Sequence, residues 1–341
     1  MDQKKKILFI GGTNNQTTMM IKIAEQLSEF DCWFSAYYSD GFLNIYRKLG
    51  WVEYTVVGNK FVRQNEELFS KLGLQNDYAG KKNDYDYVFT SSDLVIPRNI
   101  KKKKIVLVQE GMTDPENWIY YVVKFLRLPR YLASTTMNGR SNEFDLFCVA
   151  SEGYKDFFIS KGCDANKMVV TGIPNFDNCI ESCNNDFPHK NYVLVCTSDL
   201  RETLKFENRK EFILKALKIA GDRLLIFKLH PNENVERATS EINKYAPDAL
   251  VYPEGNTNEM IANCETLITR FSTVVYVGLA LGKEVFSAFD VESLKRMTPL
   301  QNGGKSAENI ANVFRERIVN DEYSLNKADI NENYIKAASI L

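Results

Sequence analysis

No apolar run in this 341-residue sequence is long enough to span a bilayer, so a transmembrane helix is not expected. The start, MDQKKKILFI, has the basic-then-apolar order of a signal peptide, but the apolar part is short and ends at Gly11-Gly12. A first buried strand is the better reading. Net charge is almost absent: 43 Lys and Arg against 44 Asp and Glu, formally -1. That argues against a protein that holds nucleic acid by broad phosphate neutralisation, and no nucleic-acid partner is expected. The glycine pattern GxGxxG of nicotinamide sites is missing after the first strand. No metal-ligand pattern stands out either. Of seven scattered cysteines, Cys179 and Cys183 are closest, with no second pair and no histidine cluster beside them. No metal site is expected, and the cysteines read as thiols of a reducing cytoplasm. Repeats, low-complexity tracts and coiled-coil heptads are absent, and histidine occurs twice.

What is present is alternation. KILFI, an apolar run, meets the turn Gly11-Gly12-Thr13-Asn14, and Met19, Met20, Ile23, Ala24 and Leu27 follow at helical spacing. Further strands are expected at CWFSAYY, YTVVG, DYVFTSS, KKIVLVQEG and DLFCVASEG. After a polar stretch containing Pro188 the alternation restarts at NYVLVC and continues through LLIFK, ALVYP, ETLIT and KEVFSAF. The pattern implies α/β architecture, with two Rossmann-like, doubly wound parallel-sheet domains facing a cleft. The boundaries expected are 1–173 for the first domain, 174–190 for a linker, 191–320 for the second domain and 321–341 for a helical tail.

Open parallel sheets gather ligands at the carboxyl ends of their strands, and five such ends are chemically informative. Gly12, Thr13 and Asn14 form either a phosphate contact at a helix start or a plain tight turn. Glu110 follows the apolar run IVLVQ and suits a general base with a raised pKa, or a cap. Thr197, Ser198 and Arg201 suit a diphosphate; the alternative is an N-cap by Ser198 or Asp199 with Arg201 merely exposed. In IFKLHPNEN, Lys228 and His230 are expected to share one strand face, because side chains alternate, and Asn232 and Asn234 follow. His230 could bind a phosphate, orient a base or act as acid or base itself. Ser272 and Thr273 open an apolar helix as an anion site, a simple cap, or both.

Residues 116–131, aromatic, aliphatic and basic, fit a core helix or a surface for a membrane or lipid-linked acceptor. The run Lys101–Lys104 fits a solvated strand entry, with an anionic-lipid contact as the alternative.

Taken in order, GGTNNQTTMMIKIAEQL, VQEGMTD, VTGIPNFDN, HPNENVERA and ITRFSTVVYVGLALGKEV resemble motifs of the GT-B superfamily of nucleotide-sugar enzymes. Within it they are similar to the non-hydrolysing UDP-N-acetylglucosamine 2-epimerase group, and the LHP stretch also resembles glycerophosphotransferases. The paired glutamates that follow Ser-Gly-Gly in those epimerases are replaced here by Val274, Val275 and Tyr276. The resemblance implies a metal-independent glycosyltransferase, with Glu110 and His230 catalytic and a nucleotide sugar as substrate rather than cofactor. It implies a glycan or lipid-linked acceptor, and a cytoplasmic location with peripheral contact at the inner membrane face as an option. An epimerase, a glycerophosphotransferase and a non-catalytic nucleotide-sugar binder are the alternatives.

Overall fold

The first sheet is built from strands whose side chains are buried on both faces, which is why they read as unbroken apolar runs rather than alternating ones. In the computed structural model, residues 4–50, 56–114, 116–202 and 206–320 are described. The chain forms two units. The first contains β1 (Lys6–Ile10), α1 (Asn14–Ala24), β2 (Asp31–Ser35), α2 (Gly41–Lys48), α3 (Asn59–Lys71), β3 (Tyr87–Thr90), β4 (Lys104–Val108), α4 (Trp118–Leu126), β5 (Leu146–Val149), α5 (Glu152–Ser160) and β6 (Met168–Val170). Its six strands are all parallel, in the order β2-β1-β3-β4-β5-β6. Phe9 stacks on Phe34 and Phe89 at 5.5 and 4.9 Å between ring centres, so three neighbouring strands share one aromatic layer.

The second unit contains β7 (Val193–Cys196), α6 (Arg209–Ala220), β8 (Leu225–Lys228), α7 (Val235–Tyr245), β9 (Leu250–Tyr252), α8 (Thr257–Asn263), β10 (Thr266–Ile268), α9 (Val275–Ala280), β11 (Glu284–Phe286) and α10 (Val291–Met297). Its parallel order is β11-β10-β7-β8-β9. Ile213, Ala216, Phe227, Ile242 and Ile268 pack its core between the sheet and α6 and α7. Strand order reverses between β1 and β3 in the first unit and between β7 and β10 in the second. Those reversals mark where an open sheet leaves room for a ligand.

Two expected boundaries move. Residues 302–320 belong to the first unit, not the second. The last helix described, α11 (Ser306–Phe314), buries Ile310, Ala311 and Phe314, and Phe314 meets Tyr87 and Phe89 edge-on at 5.0 Å. A short π-helix, Arg315–Val319, continues it. Most of the expected linker packs onto the second unit: Phe187 sits edge-on to Tyr252, and His189 bonds the Tyr252 hydroxyl at 3.0 Å. The expected tail, 321–341, lies outside the described residues. So do Tyr54 and Thr55 of the expected YTVVG strand, while Val56 and Val57 lie in a turn. No helix among the described residues is long and apolar enough to cross a membrane.

Candidate functional site

In the first unit the turn after β1 closes into a capping box. The Thr13 hydroxyl accepts from the Gln16 N–H at 3.3 Å, and the Gln16 side chain accepts from the Thr13 N–H at 3.0 Å. The glycines are needed for this closeness: a Cβ on Gly12 would lie 1.8 Å from Gln16 Oε1, and one on Gly11 2.6 Å from Asn65 and Thr17. The outward groups of the box reach Glu110, which follows β4, two strands along the sheet from β1. Its carboxylate accepts from the Thr13 hydroxyl at 2.9 Å and from Gln16 Nε2 at 2.6 Å. Burial pushes the Glu110 carboxyl above its ordinary value, and these two bonds pull it down by less. The anion at this helix start is therefore a carboxylate of the chain itself. Thr13 is spent on Glu110, the Gly12 N–H donates to Thr17, and Asn14 begins the helix. A phosphate placed on these three residues would have to displace Glu110.

In the second unit β8 ends at Lys228, and residues 230–233 make a β-turn with Pro231 at its second position, where its fixed φ fits. Lys228 and His230 consequently do not act from one strand face, because the strand does not continue. The Lys228 ammonium donates to the carbonyls of Leu229 and Pro253 at 2.9 and 3.1 Å, and burial lowers its pKa. His230 is half-exposed. Its Nδ1 accepts from the Asn232 N–H at 3.2 Å, so the neutral ring carries its proton on Nε2. Among the described residues Nε2 has no protein partner, which leaves it a donor for a ligand. Asn232 donates to Asp199 at 3.0 Å and Asn234 caps α7, so both amides are used within the fold.

Beneath His230 lies a charged cluster that motif reading missed. Glu233 accepts from the His230 N–H at 3.0 Å, from the Thr197 hydroxyl and from Arg209. Arg209 also bonds Glu207 at 2.9 Å. The side chains of Glu207 and Glu233 are fully buried and that of Arg209 is 4% exposed. In the sequence Glu207 and Glu233 sit in polar loops and Arg209 at a helix start, where a buried charge and a solvated one look alike. Arg201 is not free for a diphosphate: Glu241 holds its fork at 2.8 and 2.7 Å, and Glu207 lies 3.5 Å from its Nε. Those partners hold its pKa above the usual arginine value. Ser198 and Asp199 do not cap the following helix, which starts only at Arg209 with Asn208 as its cap. Ser272 and Thr273 make no side-chain cap for α9, where Val274 is the capping residue. Thr203, in the same loop as Arg201, lies outside the described residues.

Among the described residues, Ser198 Oγ after β7, Thr269 Oγ1 after β10 and Arg209 Nη1 at the start of α6 are buried with no hydrogen-bond partner. Leaving such groups unpaired costs roughly 1–3 kcal/mol each. Beside them a cavity of about 170 Å³ is lined by Phe212, Lys215, Thr269, Arg270, Phe286 and Ser287, among others. Among the described residues no His, Cys, Asp and Glu group has the makings of a metal site.

No protein-family model matches the sequence, and no curated protein does. Solved structures match in fold. UDP-GlcNAc 2-epimerase from Neisseria meningitidis, bound to UDP-GlcNAc, has a TM-score of 0.55 at 13% identity, covering 91% of this chain and 100% of its own. MnaA of S. aureus in complex with UDP has a TM-score of 0.55 at 14% identity, with coverage of 94% and 97%. UDP-GlcNAc 2-epimerase from Methanocaldococcus jannaschii, with UDP-GlcNAc and UDP, gives 0.54 at 15%, with coverage of 91% and 99%. The chain has the two-domain GT-B fold of these enzymes.

Proposed function

We propose that this chain is a nucleotide-sugar enzyme whose second unit binds the diphosphate of an activated donor. The observation that carries the reading is the set of polar atoms after β7, after β10 and at the start of α6 that are buried and unbonded among the described residues, together with the free Nε2 of His230. A diphosphate supplies acceptors of the kind that Ser198 Oγ, Thr269 Oγ1, Arg209 Nη1 and His230 Nε2 lack. Such donors also offset the charge that develops on a departing nucleotide. Nucleotide-sugar binding by the N. meningitidis epimerase, on the same fold, supports the choice of ligand class.

The reaction we favour is transfer of the sugar to a glycan or lipid-linked acceptor in surface-polysaccharide synthesis. Glu110 then takes the acceptor hydroxyl proton. A carboxylate with a raised pKa is a stronger base than an ordinary one, and Thr13 and Gln16 hold it in one orientation. The second reading is epimerisation, favoured by the same basic carboxylate acting at a sugar carbon and by the identity of the fold neighbours. Incubation with UDP-GlcNAc in D₂O separates the two: deuterium in the recovered sugar supports epimerisation, and its absence removes it.

The test of donor binding is thermal stabilisation by UDP, CMP, CDP and GDP and their sugars, on wild type and His230→Ala. Stabilisation by one nucleotide, reduced in the variant, is the expected result. No stabilisation by any of them would overturn the donor site.

A further inference from the structure

The strongest unexplained surface is α4 and the turn behind it. Tyr120 and Val123 hold the helix to the body through a small cluster with Ala133 and Met137. Ile119 packs partly against the same cluster, and the rest of the helix is exposed. Trp118 is 74% exposed and Phe125 86%, and Tyr121, Leu126 and Leu132 are at least half exposed. Burying one large apolar side chain is worth about 1.5–3 kcal/mol, so leaving several in water on one short helix is costly unless something covers them.

The charge on this face says what covers it. Lys124 and Arg127 are exposed, and among the described residues neither pairs with a carboxylate. Lys124 Nζ lies 5.7 Å from the Tyr120 ring centre. The acid beside the helix, Glu116, is already held by Lys161 at 3.2 Å and by the Tyr121 hydroxyl at 2.9 Å. Arg127 ends the helix at φ 53°, a left-handed position that glycine fills without strain. An arginine there places a cation at the apolar edge at some conformational cost. The run Lys101–Lys104 is different: Lys101, Lys103 and Lys104 pair with Glu143, Asp84 and Asp145, so it reads as a solvated strand entry.

We propose that the exposed face of α4 seats on an anionic phospholipid surface, with Trp118, Tyr121 and Phe125 in the interfacial layer and Lys124 and Arg127 against the headgroups. Aromatic and aliphatic side chains flanked by unpaired cations match that interface. A second copy of the chain fits poorly, because a two-fold contact would bring the cations of one helix against those of the other with no free carboxylate between them.

The test is flotation of the full chain with vesicles of phosphatidylcholine alone, and of phosphatidylcholine and phosphatidylglycerol in equal amounts. Wild type is expected to float with the anionic vesicles and to be released by salt. Phe125→Ser should weaken binding about tenfold or more, and Lys124→Gln and Arg127→Gln about fivefold each. All three side chains are exposed, so unchanged melting curves establish that the variants fold. Failure of wild type to float with anionic vesicles overturns the proposal, and so does equal flotation of wild type and variants. A dimer that Phe125→Ser converts to monomer, with no flotation of either, also overturns it and assigns the face to a second copy.

Discussion

Arg209→Met is the most informative perturbation of the second unit. Arg209 lies between two fully buried carboxylates, Glu207 and Glu233. Glu207 keeps Arg201 at 3.5 Å and Arg270 at 3.9 Å when Arg209 is removed. Glu233 keeps the Thr197 hydroxyl, the His230 N–H and the longer-range charge of Lys228, with no hydrogen-bonded cation among the described residues. Breaking a buried pair from one side costs about 3–5 kcal/mol, because the stranded charge is no longer compensated. With a urea slope of about 2 kcal/mol/M, a loss of about 3 kcal/mol moves the midpoint down by about 1.5 M. The double variant Arg209→Met, Glu233→Gln removes the stranded charge and should recover about half of the loss. The two described tryptophans, Trp33 and Trp118, belong to the first unit. Fluorescence therefore follows that unit, while far-UV circular dichroism follows both, and the shift should be larger in the dichroism. A midpoint within about 0.5 M of wild type, or no recovery in the double variant, would refute the argument that Arg209 compensates Glu233.

Glu110→Gln should lower turnover by a hundredfold or more, roughly the contribution of a general base, while donor affinity by calorimetry stays unchanged. The acid limb of the wild-type pH–rate profile should lie above the ordinary carboxylate range, because burial raises the Glu110 pKa. The sign for stability follows from the same shift. A carboxyl raised in the folded state favours folding while protonated and loses that advantage as pH rises through its raised value. Glu110→Gln should therefore gain stability relative to wild type as pH rises through that window, measured as the difference in melting temperature at each pH. His230→Ala removes the Nε2 donor and should weaken nucleotide binding about 10- to 100-fold by calorimetry, the range for a hydrogen bond to a charged group. Gly12→Ala places a Cβ against Gln16 Oε1 and should break the capping box, costing about 1–2 kcal/mol in denaturant titrations and freeing one partner of Glu110.

Periodicity made the architecture legible. Strands buried on both faces have to be apolar throughout, and helices that cover them have to be apolar on one side, so β1, β4, β5, β7 and β8 and helices α1, α6 and α7 stand out in the sequence. His230 was legible as a candidate for a related reason: it follows an apolar strand and precedes Pro231, so it had to lie in a turn at a carboxyl end. Glu110 was legible in the same way, at the end of β4.

The sequence by itself determined two parallel α/β units and the loops at their strand ends, because those follow from local spacing and the need to bury apolar side chains. Only the tertiary structure decided which polar residues in those loops are free. Arg201 is taken by Glu241, Lys228 by two carbonyls, and Thr13 by Glu110, whereas Ser198, Thr269 and His230 keep an unspent donor. The return of α11 to the first unit was equally hidden, since Phe314 finds Tyr87 and Phe89 only across more than two hundred residues of chain. Hydrogen bonds and ion pairs between distant segments leave no periodic trace, and a charged side chain in a loop has the same letter whether water or a carboxylate surrounds it.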